Sequence, residues 1–206
     1  MNNKYLNIFY NKNTLQDTLI AKIVTNKNPD KIINKNNVTI FYDENDQLIG
    51  FNIHNASERN LLLVNGLNEP NEKLIRKLEE LTNLSLSKFI NQIPFVIGKI
   101  ISAEPIPNSN LKICTVDIGT NQLQKIVCGA TNVVPNMNVV VVLPGGIIAT
   151  GKEINSSKVL NHESHGMICS SKELDLPNED LPKTIIKMPD DAIPGTFFTK
   201  VYSISK

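Results

Sequence analysis

Arginine is scarce in this sequence. Arg59 and Arg76 are the only two among 206 residues, so no guanidinium follows position 76. Neither sign of charge dominates. The first 94 residues carry 11 Lys and Arg against 10 Asp and Glu, and the rest carry 10 against 10. A dedicated nucleic-acid binder is usually strongly basic. The balance therefore excludes a broad cationic surface and leaves any polyanion to a local group of lysines, with weak and salt-sensitive affinity. Long apolar runs are missing as well, since none approaches the roughly 18 residues of a membrane span. The opening MNNKYLNIFYNKNT lacks the apolar stretch of a secretory leader. Three cysteines, Cys114, Cys128 and Cys169, form no CxxC pair, which fits reduced thiols rather than a disulfide framework. The expectation is a cytoplasmic chain with no membrane segment.

What is present reads as two domains. Apolar residues make up 41% and charged residues 20%, ordinary for a globular protein with a real core. Asparagine divides the chain: nineteen of twenty-eight lie before Pro94. In the first part, YLNIFY reads as a strand, and DTLIAKIV as a strand or short helix. VTIFYD and QLIGFNI, separated by E-N-D, read as a hairpin. LLLVNG is a short apolar run closed by Gly66. In EPNEKLIRKLEELTN, Leu74, Leu78 and Leu81 recur at helical spacing, with Glu69 and Glu72 near the start, where they favour the helix dipole. This predicts a helix packed on the sheet, or else a helix used for dimerisation. The first 92 residues are thus expected to form an α+β domain, in which His54 stands alone on a strand as a structural residue.

After Pro94 the pattern becomes strands punctuated by Gly and Pro. PFVIGKIISAEPI, LKICTVDIG, LQKIVCGA, NVVVVLPGG and IIATGKEI follow in turn, and TIIKMPDDAIPGTFF completes or caps them. About five short strands over residues 93–206 predict an all-β barrel rather than a sandwich.

One stretch, NHESHGMICSSKEL, concentrates polar chemistry. A zinc hydrolase helix spaces its histidines four apart so that they share one face. His162 and His165 are three apart, and Gly166 follows at once, which disfavours a helix. The spacing excludes that metal site, and a turn offers no positioned nucleophile and base. No catalytic residue, no metal and no cofactor are expected.

The pieces VIGKI, LKICTVDIG, LQKIVCGATNV and KVLNHESHGMICSSKEL resemble the tRNA-binding domain appended to bacterial methionyl-tRNA synthetase. The same domain lies near the N-terminus of the phenylalanyl-tRNA synthetase β subunit. The resemblance runs from about Phe95 to Thr199, and IVCGA-x-NV and ES-x-GM-x-CS are its most specific strings. With an α+β domain ahead and no synthetase attached, the whole chain is similar to free-standing YtpR-type proteins. The resemblance implies an OB-fold (oligonucleotide-binding) barrel that holds tRNA or structured RNA by shape, without reaction.

It further implies which residues meet RNA. Ser164 and Met167 match contact positions, where a hydroxyl can bond phosphate or ribose and a thioether can lie against a base. Gly166 between them allows a positive φ or a close backbone approach. Lys112 and Lys158 match basic positions, and Lys172 follows the CS pair near an expected short helix on the same RNA-facing side. Asn132 matches an asparagine that either binds RNA or ties its own turn. Cys169 is expected in the core, and the two histidines in an exposed turn.

Two departures bear on affinity. The loop IPNSNLK carries Ile106 where relatives commonly have histidine, and KVLN carries Leu160 and Asn161 where relatives have arginine and glycine. Losing that arginine removes a planar fork for phosphate. A second expectation therefore stands beside RNA binding: a protein-interaction or dimerisation module whose barrel has lost RNA. The partners expected are tRNA or structured RNA, with a homodimer or an aminoacyl-tRNA synthetase as further candidates.

Overall fold

The computed structural model describes residues 5–23, 27–176 and 183–199. Two compact units make up the chain, Met1–Ile93 and Pro94–Lys206.

Six short strands dominate the first unit: β1 Asn7–Asn11, β2 Thr18–Lys22, β3 Lys31–Lys35, β4 Val38–Tyr42, β5 Leu48–Ile53 and β6 Gly66–Asn68. They form one sheet in the order β3-β4-β5-β2-β1-β6, with every pairing antiparallel. Alternation sets its buried face, because successive side chains on a strand point to opposite sides. Ile8 and Tyr10, Leu19 and Ala21, and Phe51 and Ile53 turn to the same side. There they meet Leu74, Ile75 and Leu78 of the one α-helix among the described residues, α1 Glu72–Thr82. Asn71 starts that helix by accepting a hydrogen bond from Leu74 N at 2.9 Å, and Asn83 ends it at φ 58°.

The unit is mostly strand, with one α-helix among the described residues, so it is not clearly the α+β domain expected. DTLIAKIV forms strand over Thr18–Lys22, and its last residue, Val24, lies outside the described residues. The LLLV part of LLLVNG is irregular, and pairing begins only at Gly66. KIINK, unremarked in the sequence, is edge strand β3. His54 follows β5 and bridges Thr18 Oγ1 at 3.3 Å and Thr39 Oγ1 at 3.1 Å, tying three strands together.

The second unit holds β7 Phe95–Pro105, β8 Lys112–Asp117, β9 Gln124–Cys128, β10 Asn138–Val142, β11 Ser156–Val159, β12 His162–His165 and β13 Met167–Ile168. Five of them make a sheet in the order β13-β10-β7-β8-β9, and β11 and β12 make a separate hairpin. β7 is long enough to pair with both β10 and β8, and it bends at a bulge between Ile100 and Ser102. The hairpin lies beside β9, where Val127 N donates to Ser164 Oγ at 3.1 Å. The sheet thereby curls into a near-closed barrel.

Its interior is filled by Val96, Ile100, Cys114, Val116, Ile126, Val139, Val141 and Ile168. All of NVVVV is buried, because residues 184–198 run along the sheet. Met188 N donates to Asn138 O, and Ile97 N to Thr196 O, both at 2.8 Å. IIATGKEI forms only an isolated bridge between Ile147 and Glu153 rather than a strand, since Thr150–Gly151 turns the chain.

Candidate nucleic-acid interface

The hairpin β11–β12 builds the polar surface that NHESHGMICSSKEL announces. Its turn is Leu160–Asn161, with φ 47° and 66°, the two positive values that a tight two-residue hairpin requires. Asparagine enters that region readily and leucine does so only at a cost. Leu160 is 56% exposed. The histidines therefore sit on strand β12 and not in the turn, as half-buried residues. Their spacing of three places them on opposite faces of the strand, so they cannot share one metal ion.

Ser164 is 5% exposed. Its oxygen accepts from Val127 N and its hydroxyl donates to Gly166 O at 3.4 Å. In this structure the hydroxyl faces the barrel seam, where Val127 N and Gly166 O are its partners. Gly166 follows at φ 111°, where a Cβ would stand 2.6 Å from Val142 O. Both a positive φ and a close backbone approach are present. Met167, paired with Val142, is half-buried, and Ile168 enters the core. Cys169 is fully buried, and burial pushes its thiol well above the ordinary range.

Asn132 is likewise engaged internally. Its Nδ2 donates to Ile185 O at 2.8 Å and its Oδ1 accepts from Ile185 N at 3.0 Å. The side chain thus ties its loop to the distant segment at Ile185 rather than to the backbone of its own turn. Lys112 is half-buried at the barrel rim, with Nζ donating to Val133 O at 2.8 Å. Lys158 and Lys172 are exposed, Lys158 on β11 and Lys172 in the turn that follows β13. The six predicted residues thus divide. Lys158 and Lys172 are presented outward, Met167 is half-buried beside Val142, Lys112 guards the rim, and Asn132 and Ser164 hold the scaffold.

Because Ser164 turns inward, alternation turns Glu163 and His165 outward, with their register partners Lys158 and Ser156. His165 Nδ1 lies 3.1 Å from Ser156 Oγ, and its Nε2 lies 3.5 Å from Glu163 Oε2. This Ser–His–Glu row lies on the outer side of an isolated two-stranded hairpin. On β8 and β9 the outward residues are Ile113, Thr115, Lys125 and Val127, since Cys114, Val116, Ile126 and Cys128 fill the core. The outer surface therefore runs from Thr115 through Lys125 to Lys158.

Lys125 is the cation that motif matching missed. It is exposed, faces Thr115 across the ladder, and takes part in no ion pair among the described residues. Its signal was the plain alternation of K-I-V-C. Lys158 differs in having Glu163 directly opposite, and Lys99 has Asp117.

No helix among the described residues is long and apolar enough to cross a membrane. Comparison with known proteins adds a family. Residues 95–197 match the model of the putative tRNA binding domain. An uncharacterized protein of Mycoplasma pneumoniae is 35% identical over 205 residues, covering 96% of this chain and 87% of that one. The putative tRNA-binding protein YtpR of Bacillus subtilis is 35% identical over 200 residues, covering 94% and 99%. The phenylalanine–tRNA ligase beta subunit of Streptococcus mutans is 42% identical over 104 residues, which are 48% of this chain and 13% of that subunit.

Proposed function

The chain belongs to the putative tRNA-binding domain family, and from that premise we propose that it binds tRNA without catalysing a reaction. The near-closed barrel is read as an oligonucleotide-binding fold, and its outer surface over β8, β9 and the β11–β12 hairpin as the RNA side. Lys125 and Lys158 meet phosphates there, Lys172 and Lys112 supply the flanks, and Met167 lies against a sugar or base. Asn132 and Ser164 act from behind, one anchoring the strand-to-loop turn and the other closing the seam.

The observation that carries this reading is the outward Lys125, without an ion pair among the described residues, beside the hairpin that bears Lys158. Recognition by a few lysines without arginine favours shape over sequence, because an ammonium acts as a point charge rather than a bidentate fork. About three to four phosphate contacts give a shallow dependence on salt and micromolar affinity at best.

Filter binding of total tRNA at low and moderate salt tests it. The double change Lys125→Glu and Lys158→Glu is expected to weaken retention at least tenfold and to flatten the salt dependence. Lys73→Glu on α1 serves as the control. Absence of retention at low salt, or equal losses in both variants, rejects the proposal.

A second reading, a barrel that docks a protein such as a synthetase, is favoured by the carboxylates of Glu163 and Asp117 opposite Lys158 and Lys99. Those carboxylates offset part of the cationic charge. Co-purification of a defined protein with an RNA-free preparation would place it first.

A further inference from the structure

In the first unit an apolar row crosses the sheet and stops at an open edge. Register aligns Ile8 with Ala21, Ala21 with Phe51, Phe51 with Ile40, and Ile40 with Ile33. The first three are buried, Ile40 is half-buried, and Ile33 is 40% exposed. Among the described residues β3 pairs only with β4, and all five of its residues are exposed. On the opposite face Ile32, 52% exposed, stands beside Phe41. An edge strand with consecutive exposed isoleucines is a site for adding a strand.

The turn Asn36–Asn37, with φ 51° and 62°, makes Lys35 and Val38 a hydrogen-bonded pair. Ile33 then also bonds toward β4, and Ile32 and Asn34 turn their amide and carbonyl groups to the free edge.

We propose that β3 pairs antiparallel with β3 of a second copy of this chain, with the two-fold axis at Ile33. In that register Ile32 exchanges hydrogen bonds with Asn34 of the second copy, and Ile33 faces Ile33. The apolar row then continues as Phe51–Ile40–Ile33 into its own mirror sequence. The ends are compatible in charge. Lys35 of one copy falls opposite Lys31 of the other, and Lys31 Nζ is already held by Asp46 Oδ1 at 2.7 Å. Asp46 is 74% exposed, so its second oxygen is open to the incoming Lys35. A shift of register would remove the Ile33 pair and leave Lys35 without that carboxylate. The interface is isologous and consumes the edge, so it closes at two copies. It does not rest on the RNA reading, because none of these residues lies in the barrel.

Light scattering and sedimentation of the full chain from about 1 to 200 μM test it, a range suited to a modest interface. The mass is expected to double with concentration. Ile33→Lys and, separately, Asp46→Lys should weaken association at least tenfold with unchanged circular dichroism and unchanged tRNA retention per chain. Register is read by Ile33→Cys and Asn34→Cys, with oxidised glutathione as the oxidant. Two thiols give up two protons and two electrons to it and form one disulfide. Facing positions are close enough for this bond and offset ones are not, and the native cysteines are buried. Rapid cross-linking of Ile33→Cys with little of Asn34→Cys supports the register. A monomer throughout the range, or cross-linking that favours Asn34→Cys, overturns it. Loss of tRNA retention in a protein that still dimerises would remove the RNA reading and leave this one.

Discussion

Ser164→Ala separates two roles for one hydroxyl. On β12 the Ser164 oxygen takes Val127 N–H at 3.1 Å and donates to Gly166 O at 3.4 Å, with the residue 5% exposed. Alanine fits the same space, so no cavity follows and the whole effect is polar. One hydrogen bond is worth about 1 kcal/mol net, and an amide left without a partner adds up to about 1–3 kcal/mol where water cannot reach it. Val127 is half-buried, so water partly replaces the lost acceptor, and a total of about 1–2 kcal/mol is expected. At about 4 °C per kcal/mol for a unit of this size, the melting midpoint should fall by about 4–8 °C. Hydrogen exchange should quicken at the Val127 amide first, because the barrel opens along that seam. Filter binding at 15 °C, well below the transition, should show tRNA affinity within about twofold of the parent. If the hydroxyl instead met a phosphate, its loss would weaken binding by about 0.5–1.5 kcal/mol, roughly two- to tenfold, and leave stability alone. An unchanged midpoint with tenfold weaker retention would falsify the seam argument.

Three further outcomes follow from single contacts. Lys112→Met removes an ammonium that caps Val133 O at 2.8 Å, and should cost about 1–2 kcal/mol of stability in urea unfolding, since hydrogen bonds to charged groups exceed neutral ones. Leu160→Asn relieves a leucine held at φ 47°, and should raise stability by about 0.5–1 kcal/mol in the same assay. Tyr10 donates to Asp17 Oδ1 at 2.6 Å, and this bond, followed by burial, pushes the phenol up to about 12. The neutral form is the one the fold holds, so this contribution is complete below the unfolded value near 10 and lost as pH rises from there through about 12. Absorbance titration should show one of the four tyrosines ionising late, and Asp17→Asn should shorten the delay, leaving the part due to burial. The same bond holds the Asp17 carboxyl below its usual range, so Asp17 contributes above the unfolded carboxylate value and loses that contribution as pH falls through its lowered one.

The elements legible in the sequence are those with a strong local pattern. Leu74, Leu78 and Leu81 mark α1 because helical period and acidic start coincide within one segment. LKICTVDIG and LQKIVCGA alternate cleanly and appear as β8 and β9. KIINK was hidden because an edge strand needs no buried face: Ile32 and Ile33 point to opposite sides and both meet water, so no period of two in burial marks them. IIATGKEI misled in the opposite sense, since its apolar residues are buried in a turn rather than along a ladder.

For the candidate site the same distinction holds at the level of atoms. A motif identifies which positions a family places near RNA, whereas the direction of each side chain depends on what neighbouring strands require. Ser164 and Asn132 are polar residues whose nearest unmet partners are backbone groups, Val127 N–H and the two groups of Ile185. In a small near-closed barrel such groups must be satisfied or they cost more than a surface contact returns. The hydroxyl and the amide therefore turn inward, and the outward positions beside them fall to residues that no motif names. Lys125 is one of these: with Ile126 and Cys128 committed to the core, the pleat leaves it nowhere to point except outward.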